Sequence, residues 1–107
     1  MILLTGPIRQ AYYRPGMIRT IKDKETQRLW NREFSKRFQS IERSARVRLG
    51  FLHAARSLED LQLPGMRLEA LKGDRQGQYG IRINDRYRIC FIWQAGDAYD
   101  VEVVDYH

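Results

Sequence analysis

At Pro64-Gly65 the hydrophobic pattern of the chain changes its period. Before that turn, Ile41, Ala45, Leu49, Leu52 and Ala55 recur every three or four residues. That repeat stacks side chains on one stripe of an α-helix. After it, Tyr79, Ile81 and Ile83, then Tyr87, Ile89, Phe91 and Trp93, then Tyr99, Val101 and Val103 alternate with other residues. A two-residue repeat marks a strand with one buried face. The polar stretch Lys72–Gly77, the pair Asn84-Asp85 and the segment Gln94–Asp97 are turn signals between these runs. A chain of 107 residues can bury only one modest core. Helices and strands must therefore share it, with the helices covering one face of an antiparallel sheet and leaving the other partly open.

The N-terminal half supplies the rest of an α+β order, β-α-α-β-β-β with further short elements allowed. Met17–Ile21 is a short strand candidate. Asp23 can cap a helix from about Lys24, where an acid suits the positive end of the helix dipole. Leu29, Trp30 and Phe34 give that helix an apolar side, and Ser35–Gln39 is a basic connection. Ser40 is the expected cap of the second helix. Ser57-Leu58-Glu59-Asp60 has the character of a capping box, and Leu68–Leu71 reads as the next strand. Residues 17–107 read as a single domain. Residues 1–16, with the loop-like Tyr12-Tyr13-Arg14-Pro15-Gly16, read as a loosely ordered N-terminal extension.

Charge and composition narrow the function. Hydrophobic residues make up 43% and charged residues 30%, which suits a packed globular chain rather than a disordered one. No apolar run approaches the twenty residues of a membrane span, and the start MILLTGPIRQ lacks the basic region of a signal peptide. A cytoplasmic location is expected, with the lone Cys90 as a core thiol. Two histidines and one cysteine give no zinc spacing, so neither metal nor cofactor is expected. The basic charge is uneven. Residues 17–56 hold eleven Lys/Arg against four Asp/Glu, whereas residues 57–107 hold six against nine. A polyanion such as RNA would be drawn to the N-terminal half, although a solvated helix surface has the same composition. Arg43, Arg46, Arg48 and Arg56 fall largely off the apolar stripe of the second helix.

The open sheet face is where chemistry could be built. Arg88 has the opposite parity to Tyr87 and Ile89, and Arg82 the opposite parity to Ile81 and Ile83. Two arginines on one face suit a phosphate, although plain solvent-face charge looks the same. Lys72-Gly73-Asp74-Arg75 places two cations around a glycine that lets backbone approach a phosphate, and it is equally an ordinary turn. His53 reads as a helical histidine at or near the surface. The final Asp105-Tyr106-His107 puts an acid, a phenol and an imidazole at the end of a strand expected beside the Arg88 strand. Cleavage of RNA by its own 2′-OH needs proton acceptor, proton donor and positive charge, and histidine and arginine can supply them.

From Met17 to His107, about five-sixths of the chain, the sequence resembles the HigB toxins, the plasmid maintenance system killer branch of the RelE/ParE superfamily. The resemblance is carried by "SLEDL" followed by "LPG", by "LEALKGDRQGQYGIRINDRYRICF" and by "GDAYDVEVVDYH". It implies a compact RelE-like fold with two N-terminal helices on one face of the sheet. It also implies a type II toxin that cleaves mRNA in the ribosomal A site without metal. The implied partners are a HigA-like helix-turn-helix antitoxin and the ribosome, with operator DNA reached only through the antitoxin complex. The family's functional lysine falls on Lys72, its sheet arginine on Arg88, and its terminal acid, tyrosine and histidine on Asp105, Tyr106 and His107. Arg43, Arg46, Arg48, Arg75 and Arg82 are the expected RNA contacts. One departure stands out: Glu69 occupies a position where some members have histidine. Glu69 could still carry a proton, so the division of acid and base stays open. Two other readings remain: a gyrase-inhibiting ParE-like toxin of the same fold, and a disabled module that binds only RNA or antitoxin.

Overall fold

The computed structural model describes residues 17–106; the extension expected over residues 1–16 and the terminal His107 lie outside the described residues. Helix α1 spans Lys24–Trp30 and α2 spans Glu42–Ala54. Four strands follow: β1 Glu69–Ala70, β2 Tyr79–Arg82, β3 Tyr87–Gln94 and β4 Asp97–Asp105. They form one antiparallel sheet in the order β1-β2-β3-β4. The change in period thus produced the α+β architecture it required, two helices and then a meander. Among the described residues no helix is long and apolar enough to cross a membrane.

Asp23 caps α1, its carboxylate accepting a hydrogen bond from the Thr26 N–H at 3.1 Å. The helix is shorter than its apolar residues suggest. It ends at Asn31, and Arg32 then turns to a positive φ of 63°. Leu29 is fully buried, but Phe34 lies beyond the helix and is 61% exposed, not on its apolar side as expected. On α2 the predicted stripe holds: Ile41, Ala45, Leu49, Leu52 and Ala55 are all buried. Its start differs from expectation. A 3₁₀ turn over Gln39–Ile41 runs straight into the helix, Ile41 holds the cap position, and no side chain caps it. Burial of Phe38 and Ile41 in the core fixes the entry of the chain here.

The Met17–Ile21 strand is reduced to two isolated parallel bridges against β4, Ile18 to Ala98 and Ile21 to Val101. The cause is a bulge in β4. Cys90 pairs with Glu102 but Ile92 with Tyr99, so β4 carries an extra residue, and Asp100 adopts a φ of 52°. The Asp100 N–H is diverted to Thr20 Oγ1 at 2.8 Å. The same bulge moves Tyr99 to the side of Ile92, off the face it was expected to share with Val101 and Val103.

Between helices and sheet lies the main core, in which Leu29, Phe38, Leu49, Ile89, Phe91 and Val101 are almost wholly inaccessible. Each such side chain contributes roughly 1.5–3 kcal/mol. Thr26 reaches from α1 to the outer edge of β4, where its Oγ1 accepts from the Val103 N–H at 3.0 Å. The other sheet face is not bare. Leu71, Cys90 and Val104 form a second small cluster there, with Tyr106 packed against it.

Candidate active site

The register sorts the open face into two rows. Arg82 lies opposite Arg88, and Arg88 opposite Val104. Next along, Glu69 lies opposite Gly80, Gly80 opposite Cys90, and Cys90 opposite Glu102. The pleat points the side chains of both rows away from the helices. Gly80 matters for the close approach of Leu71: a Cβ there would stand 3.2 Å from Leu71 Cδ2.

Arg88 is half-buried and its guanidinium lies over the Tyr106 ring, 5.3 Å from the centroid. Nη1 makes one long contact, 3.4 Å, to the Asn84 carbonyl, and the buried Nε has no hydrogen-bond partner among the described residues. No carboxylate among the described residues pairs with it. Its neighbours differ. Arg82 pairs with Asp85, Arg86 with Asp105 at 2.8 Å, and Arg75 with Glu102 at 3.2 Å. A cation enclosed by apolar groups and left without a counter-charge is costly to hold, and an arriving anion would relieve that cost.

Tyr106 continues the pairing past β4, its N–H donating to the Arg86 carbonyl at 2.6 Å. The structure therefore brings Tyr106 to Arg88; His107 lies outside the described residues. Asp105 turns the other way. It lies opposite Tyr87, and its carboxylate takes the Arg86 guanidinium, whose pKa is raised by that hydrogen bond and then by the Asp105 charge. Glu69 shares the open face through Gly80 and is exposed. Lys72 is exposed at the start of a 3₁₀ turn over Gly73–Arg75.

The basic helix surface is smaller than the sequence suggests. Arg46 donates to the Leu29 carbonyl at 2.9 Å and the Glu33 carbonyl at 3.1 Å, and pairs with Glu42. Arg48 donates to the Arg82 carbonyl at 2.7 Å and to Ser44. Both are half-buried ties between elements; Arg43 alone of the three is exposed, beside a shallow depression with Arg32 and Val47. His53 is structural in its contacts: Nδ1 accepts from the Ile18 N–H at 3.1 Å, and the ring lies against Trp30. Cys90 is buried as expected. Burial raises its thiol pKa, and Arg75 and Arg88 only partly offset this against Glu102 and Glu69.

Glu102 was not singled out from sequence. Its parity with Val104 was visible, but its partner Arg75 is 27 residues away. Arg86 was missed for the same reason, since its partner Asp105 lies across the β3–β4 hairpin.

A sequence model described as "RelE-like toxin of type II toxin-antitoxin system HigB" matches residues 19–107. Among curated relatives, Toxin HigB-1 of Vibrio cholerae serotype O1 is 42% identical over 60 residues, which cover 55% of this chain and 63% of the relative. Endoribonuclease HigB of Proteus vulgaris is 37% identical over 60 residues, covering 56% of this chain and 65% of the relative. The chain thus spans a little under two thirds of the length of these relatives. With the helix pair, the meander and the Arg88–Tyr106 end of the open face in place, the match over nearly the whole described region settles the family: the chain belongs to the HigB-like toxins, RelE-like toxins of type II toxin–antitoxin systems.

Proposed function

We propose that this protein is a ribosome-dependent endoribonuclease that cuts mRNA in the ribosomal A site and so stops translation. The observation that carries the reading is the Arg88 guanidinium, half-buried on the open face, with an orphaned Nε and no carboxylate partner among the described residues. A scissile phosphate supplies the missing charge. The endoribonuclease name of the Proteus vulgaris relative agrees with this.

In the proposed reaction the ribose 2′-OH loses its proton and attacks the adjacent phosphorus. The O2′–P bond forms, the P–O5′ bond breaks, and the departing 5′-oxygen takes a proton. The products end in a 2′,3′-cyclic phosphate and a 5′-hydroxyl. No metal is called upon. Arg88 and Lys72 meet the charge that grows on the phosphate oxygens. His107 carries out one proton transfer, and Glu69 is the open-face carboxylate at hand for the other. Tyr106 holds the Arg88 guanidinium by its ring face and orients the phosphate. Asp105 acts at one remove, through Arg86. Arg82 flanks the RNA, Arg43 faces ribosomal RNA, and Arg75, expected from sequence as an RNA contact, is instead engaged by Glu102. The expected partner is a HigA-like antitoxin, which carries the contacts to operator DNA, and the expected location is the cytoplasm.

The test is cleavage of mRNA on programmed ribosomes, with the new ends mapped. Arg88→Ala should lower the rate constant by about 10²–10³-fold, as loss of a transition-state charge partner does. Arg88→Lys should recover only part, because an ammonium lacks the planar fork. Full activity in Arg88→Ala, or equal cutting of free RNA without ribosomes, would reject the proposal.

A further inference from the structure

The connection between β1 and β2 does not hang from the edge of the sheet. It folds over the open face far enough for Arg75 to reach β4. Arg75 Nη1 lies 3.2 Å from Glu102 Oε1 and 3.1 Å from Gln78 Oε1. Two strand spacings, about 10 Å, separate β2 from β4. In the Glu102 row, β2 and β3 present Gly80 and Cys90, which have no side chain and a small one. They leave a low saddle that the loop and Leu71 cross. Positive φ values at Gly73 (63°) and Gly77 (96°) let the chain turn sharply at both ends of that loop.

The pair is better enclosed than an ordinary surface bridge. The side chains of Arg75 and Glu102 are 29% and 22% exposed, and Lys22 adds a third charge to Glu102 at 3.7 Å. Glu102 therefore ties together the N-terminal segment, β4 and the β1–β2 loop. What the loop carries is Lys72. The Arg75 N–H donates to the Lys72 carbonyl at 3.2 Å, so fixing Arg75 fixes the backbone of Lys72. Leu71, the residue before it, packs in the same small cluster as Tyr106, whose ring lies against Arg88.

We propose that Glu102 is a positioning residue of the nuclease: by clamping Arg75 it holds the turn that begins at Lys72 over the open face, so that Lys72 and Arg88 act on one phosphate. This rests on the endoribonuclease reading above. Glu102 touches no substrate; it acts through Arg75.

The experiment uses the full chain, programmed ribosomes and four variants: Glu102→Ala, Glu102→Gln, Arg75→Ala and the Glu102→Ala/Arg75→Ala double. Single-turnover cleavage at saturating ribosomes should fall about tenfold or more in Glu102→Ala, the scale of loss caused by small misplacement. Ribosome affinity should stay within about twofold, since the phosphate contacts are intact. Arg75→Ala should match that loss and the double variant should add nothing to it. Glu102→Gln, whose amide oxygen still accepts from Arg75, should recover most of the rate. Amide exchange should quicken over residues 72–78 in Glu102→Ala while α2 keeps its protection, a pattern that general destabilisation does not give. Cleavage within about twofold of wild type in Glu102→Ala, or additive losses in the double variant, would overturn the proposal. If Glu102→Ala does not fold, Arg75→Ala breaks the same pair from the loop side and decides the matter. A wild-type chain that cuts nothing would refute the nuclease reading alone. Exchange would then still judge the clamp: quickening confined to 72–78 supports it, and unchanged exchange refutes it.

Discussion

Arg82 and Arg88 stand directly across from each other on β2 and β3, an arrangement that two like charges resist. The fold resolves it unevenly. Asp85 neutralises Arg82, while Arg88 has no carboxylate among the described residues and rests on the face of Tyr106, a cation–π contact worth about 0.5–2 kcal/mol, with one long contact to the Asn84 carbonyl. The face is thus stable enough to form yet keeps one guanidinium ready for an anion. Beside it, Cys90 reports on the same surface. Burial holds its folded pKa above the ordinary thiol value. Below that ordinary value both states keep the proton and the thiol adds no pH dependence. Above it only the unfolded chain ionises, so stability falls as pH rises toward the folded pKa. Urea unfolding should therefore show wild type losing more stability than Cys90→Ala between about pH 8 and about pH 10. Parallel pH profiles for the two would contradict the burial argument.

At the scale of elements, α1 has seven residues and cannot persist on its own. It is held by Leu29 in the core and by Thr26 against β4. The Thr26 contact also serves the strand, because it occupies a backbone donor on an outer strand that would otherwise be open to a neighbour. Thr26→Val should cost about 1–3 kcal/mol in denaturant unfolding, since it leaves the buried Val103 N–H without an acceptor. Thr26→Ser, which keeps the oxygen, should retain most of that stability. A loss in Thr26→Ser with none in Thr26→Val would mean that packing of the methyl group, not the hydrogen bond, decides.

For the whole molecule, the basic excess of residues 17–56 is partly internal. Arg19 pairs with Asp97, Lys22 with Glu102, and Arg46 and Arg48 with backbone carbonyls. In the proposed complex with the ribosome, only the remaining cations would release counterions from RNA. The log–log salt dependence of ribosome binding should therefore lose about 0.7–0.9 of its slope in Arg43→Ala, one phosphate contact. Arg48→Ala should leave the slope unchanged and lower the urea midpoint instead, because its guanidinium ties α2 to β2. A slope that drops equally in both would place Arg48 on the RNA.

The sequence by itself determined the class, the order of the elements and most of the core. The stripe from Ile41 to Ala55 and the alternation from Tyr79 to Trp93 are set by helix and strand periods, which act over a few residues. It also put Arg82 and Arg88 on one face by parity alone. Only the tertiary structure decided which charges stay unanswered. Parity could not show that Asp105 turns to Arg86, that Arg46 and Arg48 bind carbonyls, or that Arg75 crosses the sheet to Glu102. Nor could it foresee the bulge at Asp100 that moves Tyr99 to the other face. Periodicity fixes the direction of a side chain, whereas a counter-charge is fixed by whatever distant strand or loop the fold brings within about 4 Å.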